Sequence, residues 1–97
     1  MSFGQKLAFS MYKVLTTKKF DKNFKKIDRQ DQIRLKDWII ANLENCDDPR
    51  IHGKCLKGKL GEYWRYRVGN YRIIVQFNDA ELVIVAIDVG SRQGVYR

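Results

Sequence analysis

Cysteine, histidine and proline are scarce in this 97-residue chain, which has two, one and one of them. Cys46 and Cys55 form no CxxC pair and His52 is the single histidine, so a structural zinc site lacks ligands, and the sequence implies neither metal nor cofactor. Two isolated thiols suit a reducing compartment better than a disulfide scaffold. Long apolar runs are missing too: the longest uncharged one, Leu82 to Ile87, falls far short of the roughly 20 residues that span a bilayer. The N-terminus also lacks the apolar stretch of a signal peptide, and the expectation is a cytoplasmic protein. Acids are outnumbered, with eleven Asp and Glu against nineteen Lys and Arg, leaving a net charge of +8. Such a balance fits a partner that is a polyanion or an acidic protein.

What is present suffices for one small globular domain. The chain is 44% hydrophobic and 12% aromatic, enough to fold. A chain of this length buries about 60 to 70% of its unfolded surface around a single modest core, which excludes a large multi-site enzyme.

Met1 to Ser10 fit no extendable pattern and are read as an extension outside the domain, which covers residues 11–97. Tyr12 to Leu15 reads as a short strand. Thr17 offers an N-cap to a helix whose apolar stripe is Phe20, Phe24 and Ile27 and whose outer face carries Lys18, Lys19, Lys22, Lys25 and Lys26. That face is either a solubilising surface or a dock for ribosomal RNA. Asp28 restarts capping for a second helix, with Leu35, Ile39 and Leu43 joined by Ile33, Trp38 and Ile40, ending near Asn45.

Asp47 to Gly61, with Pro49, Gly53, Gly58 and Gly61, reads as a loop. After it the period becomes two. Trp64, Tyr66 and Val68 lead to a tight turn at Gly69-Asn70, and Tyr71, Ile73, Val75 and Phe77 continue the apolar face. A further turn at Asn78 to Glu81 precedes Leu82 to Val89, whose near-continuous apolar character suits a strand covered on both faces. Trp38, Trp64, Tyr66, Phe20 and Phe24 are assigned to the core. The fold class is α+β: an N-terminal strand, a two-helix hairpin and a three-stranded antiparallel meander, making one twisted sheet with the helices on one face and the other face open.

The chemistry gathers between Arg50 and Arg72, where seven cations (Arg50, Lys54, Lys57, Lys59, Arg65, Arg67, Arg72) meet one acid, Glu62. A two-residue turn at Gly69-Asn70 sets Arg67 opposite Arg72, and like charges directly across a ladder are destabilising. Either an anion binds between them or an internal carboxylate neutralises them, with Asp88 as candidate. Arginine suits the anion reading because its planar fork grips phosphate with two hydrogen bonds and keeps its proton. Metal-free RNA cleavage needs a base for the 2′-hydroxyl, a cation for the charge building on phosphorus and an acid for the leaving oxygen. Tyr96, four residues beyond Arg92 in the tail, is a candidate base or stacking platform, while His52 and Lys54 remain rivals for proton transfer. Lys57 is a candidate phosphate ligand; for Lys54 and Lys57 alike the alternative is a solvated loop lysine.

Four stretches in order, Asp48-Pro49-Arg50-Ile51-His52-Gly53-Lys54, Leu56-Lys57-Gly58, Trp64 to Arg72, and Val89-Gly90-Ser91-Arg92 with Val95-Tyr96-Arg97, resemble the RelE branch of the RelE/ParE toxins. The resemblance covers Tyr12 to Arg97. It implies a RelE-like microbial ribonuclease fold and a toxin that cuts mRNA in the ribosomal A site, leaving a 2′,3′-cyclic phosphate. It also implies a cognate antitoxin in a hetero-oligomer. By position, Arg67 and Arg92 would stabilise the transition state, Tyr96 would act on the 2′-hydroxyl or stack on a base, and Lys54 and Lys57 would bind the backbone and share the proton transfers; from the basic stretch itself, Arg65, Arg72 and His52 are expected as further substrate contacts. The tail departs from many relatives in having Ser91 and Gln93 where they have histidine and a second cation. Two other readings remain: a ParE-like inhibitor of DNA gyrase without nuclease chemistry, and a binding relative whose active site has decayed.

Overall fold

The computed structural model describes residues 12–58 and 61–91. The expectations for Met1 to Ser10, for Arg92 and for Tyr96 lie outside them. The order is β1 (Lys13–Thr16), α1 (Lys18–Lys25), α2 (Arg29–Ile39) continued by a π-turn (Ile40–Glu44), a 3₁₀ turn (Pro49–His52), β2 (Lys54–Gly58), β3 (Gly61–Val68), β4 (Tyr71–Asn78) and β5 (Val83–Ser91). One mixed sheet runs β1-β5-β4-β3-β2, antiparallel except where β1 joins β5. The α+β class stands, with one strand more than the sequence suggests.

Local chemistry accounts for the helical half. Thr17 caps α1: its Oγ1 accepts from Phe20 N at 3.1 Å and donates to Ile87 O at 2.8 Å, tying the helix start to β5. Phe20 is buried and Phe24 stacks on it, ring centroids 5.6 Å apart. Asp28 holds the cap position of α2, but its side chain makes no capping bond. Instead Gln32 Nε2 donates to Phe24 O at 3.0 Å and Ile27 O at 2.8 Å, filling the carbonyls that α1 leaves open. Leu35, Ile39 and Leu43 are buried as expected, whereas Ile33 and Ile40 are 53% and 37% exposed. The buried stripe is narrower than the run of apolar residues, because a helix resting on a sheet shows it only one face.

The stretch read as a loop instead forms β2. Lysines at 54 and 57 and Gly58 hide its strand character, yet Lys54, Cys55, Leu56, Lys57 and Gly58 pair with Arg65, Trp64, Tyr63, Glu62 and Gly61. Lysines on an edge strand guard it against pairing with other chains, so the residues that obscure the strand suit its position.

Gly69, at φ +61°, takes the left-handed turn conformation that favours glycine, and Val68 stands opposite Tyr71 and Arg67 opposite Arg72. The core face carries Tyr66, Val68, Ile73, Val75, Ile84, Ala86 and Val89, with Trp38, Trp64 and Phe77 packed around them. Of the apolar run in β5, Ile84, Ala86 and Val89 are buried while Val83, Val85 and Ile87 are only half-buried. β5 is an interior strand, and its second face is partly exposed among the described residues. A bulge there pairs Ile74 with Asp88 and Val75 with Ala86, leaving Ile87 without a partner on β4.

Candidate nucleic-acid interface

Alternation along the strands sorts the sheet into an apolar face and a basic one. On the open face lie Arg65 and Arg67 of β3, out of phase with buried Tyr66 and Val68, and Arg72 of β4, out of phase with buried Ile73. Register adds Lys54, opposite Arg65. Two rows result: Lys54, Arg65, Ile74 and Asp88 across four strands, and Arg67, Arg72 and Gly90 across three. Lys54 and Arg67 are exposed, and Arg65 and Arg72 half-buried.

Few internal partners offset this charge. Lys54 and Arg67 have no ion-pair partner among the described residues. Arg65 Nε is buried without a hydrogen-bond partner among them. Orphaned buried donors are rare and cost about 1–3 kcal/mol each, so this arginine is held on the face at some cost to the fold. Asp88, the neutralising candidate, accepts from Asn23 Nδ2 at 2.7 Å and pairs with Lys19 at 3.4 Å. It also shares a shallow depression with Arg72, Ile74 and Gly90. Asp88 is thus already engaged by α1, while Lys54 and Arg67 stand without an ion pair among the described residues.

Arg50 leaves the constellation. It holds Asp79 with its guanidinium at 2.9 and 3.2 Å, 3.9 Å above the Phe77 ring and 5.7 Å from that of Trp64. Tyr12 donates its phenol proton to the same carboxylate at 2.7 Å. Hydrogen bonds from Arg50 and Tyr12 hold the Asp79 carboxyl below its ordinary range, while burial and the hydrogen bond to Asp79 push the Tyr12 phenol up.

The turn leading to β2 is anchored from below. Pro49 is buried and its carbonyl accepts from Tyr66 Oη at 2.8 Å. Burial raises the Tyr66 phenol well above its ordinary value. Gly53 lies flat on that ring: a Cβ there would stand 2.7 Å from Tyr66 Cε2. The contact fixes where Lys54 begins.

Of the expected site residues, Lys54, Arg65, Arg67 and Arg72 thus share one face. His52 is exposed on the 3₁₀ turn beside them. Lys57 stands opposite Glu62 by backbone register, out of phase with Lys54. Arg92 and Tyr96 follow the described end of the sheet at Ser91, which pairs with Tyr71 beside the Arg67–Arg72 row. Lys54 was legible only as a loop residue, since the strand pairing that brings it to Arg65 is tertiary. Tyr63, on this face opposite Leu56, was missed, although its position two residues before Arg65 gave the signal. Among the described residues, no cluster of His, Cys, Asp and Glu has the makings of a metal site, and no helix is long and apolar enough to cross a membrane.

The fold and sequence have relatives. The toxin–antitoxin complex RelBE2 of Mycobacterium tuberculosis contains a chain similar in fold, with a TM-score of 0.77 and 21% identity over 87% of this chain and 94% of that one. The archaeal RelE–RelB complex of Pyrococcus horikoshii gives 0.70 and 25% over 84% and 96%, and the isolated RelE toxin of E. coli 0.66 and 23% over 89% and 97%. No match was found among curated proteins. The model of one family, described as "ParE toxin of type II toxin-antitoxin system, parDE", matches residues 14–96. With nearly the whole described domain inside that match and a RelE-like fold beneath it, the chain belongs to the ParE toxin family, within the RelE/ParE superfamily of type II toxin–antitoxin toxins.

Proposed function

We propose that this toxin is a ribosome-dependent, metal-independent endoribonuclease that cuts mRNA in the A site and so stops translation. The observation that carries the reading is the open basic face, where Arg67 opposes Arg72 directly and Lys54 opposes Arg65, with Asp88 the carboxylate in the same rows. An RNA phosphate between the rows relieves the repulsion between Arg67 and Arg72.

In the reaction the 2′-hydroxyl oxygen attacks phosphorus as its proton passes to a base, and the bond from phosphorus to the 5′-oxygen breaks as that oxygen takes a proton. The products are a 2′,3′-cyclic phosphate and a 5′-hydroxyl. Arg67 stabilises the charge on the phosphoryl oxygens, joined by Arg92 from the tail. Tyr96 acts as base, Lys54 protonates the leaving oxygen, and Lys57, Arg65, Arg72 and His52 hold the backbone. The partners are a cognate antitoxin, as in the RelBE complexes of similar fold, and the ribosome with its mRNA.

The family match itself favours a second reading, a gyrase-inhibiting toxin without nuclease chemistry. Primer extension on an mRNA translated with purified protein separates the two. Cuts within codons that need both ribosomes and Arg67 are the expected result, and Arg67→Ala should slow cleavage by roughly 100-fold or more. Growth arrest with DNA breaks and no cuts would replace the proposal by the gyrase reading.

A further inference from the structure

We infer that Tyr63 is a base-stacking platform of the basic face, seating one unpaired RNA base while Arg65 and Lys54 hold the adjoining backbone. The inference rests on the polyanion reading of that face and deepens it by assigning a site for the base.

Four observations converge on Tyr63. Strand alternation places it on the open face with Arg65 and Arg67, and β2 sets Leu56 directly across from it and Lys54 across from Arg65. It is half-buried, so part of its side chain meets solvent. The other tyrosines of the described residues all donate structural hydrogen bonds, Tyr12 to Asp79, Tyr66 to Pro49 O and Tyr71 to Asp31 at 2.7, 2.8 and 2.8 Å. The Tyr63 phenol has no hydrogen-bond partner among the described residues. An aromatic ring with a free phenol on a solvent-facing sheet, beside cations rather than acids, is the arrangement that single-stranded RNA uses: stacking recognises the face of any base, and neighbouring cations take the phosphates.

Spacing agrees. Residues two apart on a strand are separated by roughly 7 Å, comparable to the distance from a base to its own phosphate. With its base on Tyr63, a nucleotide brings its phosphate to Arg65 and directs the chain toward the Arg67–Arg72 row. Tyr63 so acts as a positioning residue, choosing which phosphate reaches the reacting groups.

The test measures binding of the full chain to a labelled short single-stranded RNA by fluorescence anisotropy at low salt. Wild type, Tyr63→Phe, Tyr63→Leu and Arg67→Ala are compared on the intact RNA and on a set carrying one abasic position each. Tyr63→Phe should stay within about threefold of wild type, whereas Tyr63→Leu, which keeps an apolar group against Leu56, should bind roughly tenfold more weakly. That loss should vanish on one abasic RNA, since a ring cannot lose a base that is already missing. Binding that depends on Arg67 but ignores both Tyr63→Leu and every abasic position overturns the inference and leaves the basic face standing. Binding that is absent from wild type, or indifferent to Arg67→Ala, overturns both. The abasic series on wild-type protein decides the matter even if Tyr63→Leu fails to fold.

Discussion

Arg50 and Arg67 come from one basic stretch and occupy opposite situations. Arg50 is enclosed by internal partners, with Asp79 at its guanidinium and the Phe77 and Trp64 rings against it. Arg67 is exposed, faces another arginine across the ladder and has no ion pair among the described residues. The first is spent on holding the turn before β2 to the sheet. The second is set where folding alone would not put it, since two opposed like charges weaken a ladder. A cation with a full set of partners builds the fold; one placed against its own kind is, on the proposed reading, held for a bound phosphate.

The sharpest way to break this comparison is activity against stability at Arg67. Arg67→Ala should slow ribosome-dependent cleavage by roughly 100-fold while thermal unfolding stays level or rises slightly, as repulsion with Arg72 is relieved. A clear drop in Tm would make Arg67 a structural residue like Arg50. Next in size is Gly53→Ala. The added methyl meets the Tyr66 ring at 2.7 Å in a packed region, and the expected cost is about 1–3 kcal/mol in urea unfolding. An unchanged midpoint would mean that the turn before Lys54 is looser than its packing implies.

Asp79→Asn tests the other half. Asp79 is 61% exposed, so the loss should be modest, but it should depend on pH with a definite sign. Because Arg50 and Tyr12 hold its carboxyl below the ordinary value of about 3.9, the stabilisation is complete above that pH and fades as pH falls through the depressed folded value. The difference in Tm between wild type and Asp79→Asn should therefore shrink below about pH 4. A difference that stays constant there would assign the effect to packing.

Smallest is an alkaline effect at Tyr66. Its phenol is held protonated above its ordinary value of about 10, so the unfolded chain releases that proton first, and stability should fall as pH rises past about 10. Tyr66→Phe should cost about 1 kcal/mol at neutral pH through the lost bond to Pro49 O and should show a shallower decline in alkali. Parallel slopes would remove Tyr66 as the titrating group.

Much of this was legible in the chain itself. The cap at Thr17, the buried stripe of Phe20, Leu35, Ile39 and Leu43, and the two-residue turn at Gly69-Asn70 depend on residues close in sequence, where propensity and periodicity act directly. From that turn alone follows the pairing of Arg67 with Arg72. The misses share a cause. Ile33 and Ile40 belong to the apolar pattern but are exposed, facing away from the core among the described residues. The apolar run of β5 resembles that of a fully covered strand, yet its interior place in the sheet accounts for it with one face only half-buried.

The sequence by itself determined an α+β domain with an excess of cations and the local turns that align the central hairpin, because these follow from composition and from contacts a few residues long. Only the tertiary structure decided which further cation joins the hairpin's arginines on that face. Pairing β2 to β3 turned an apparent loop into a strand and brought Lys54 to Arg65 and Leu56 to Tyr63, while Asp79, 29 residues from Arg50, withdrew that arginine from the site. Strand pairing and ion pairing over such separations depend on where the folded chain meets itself, which no local pattern encodes.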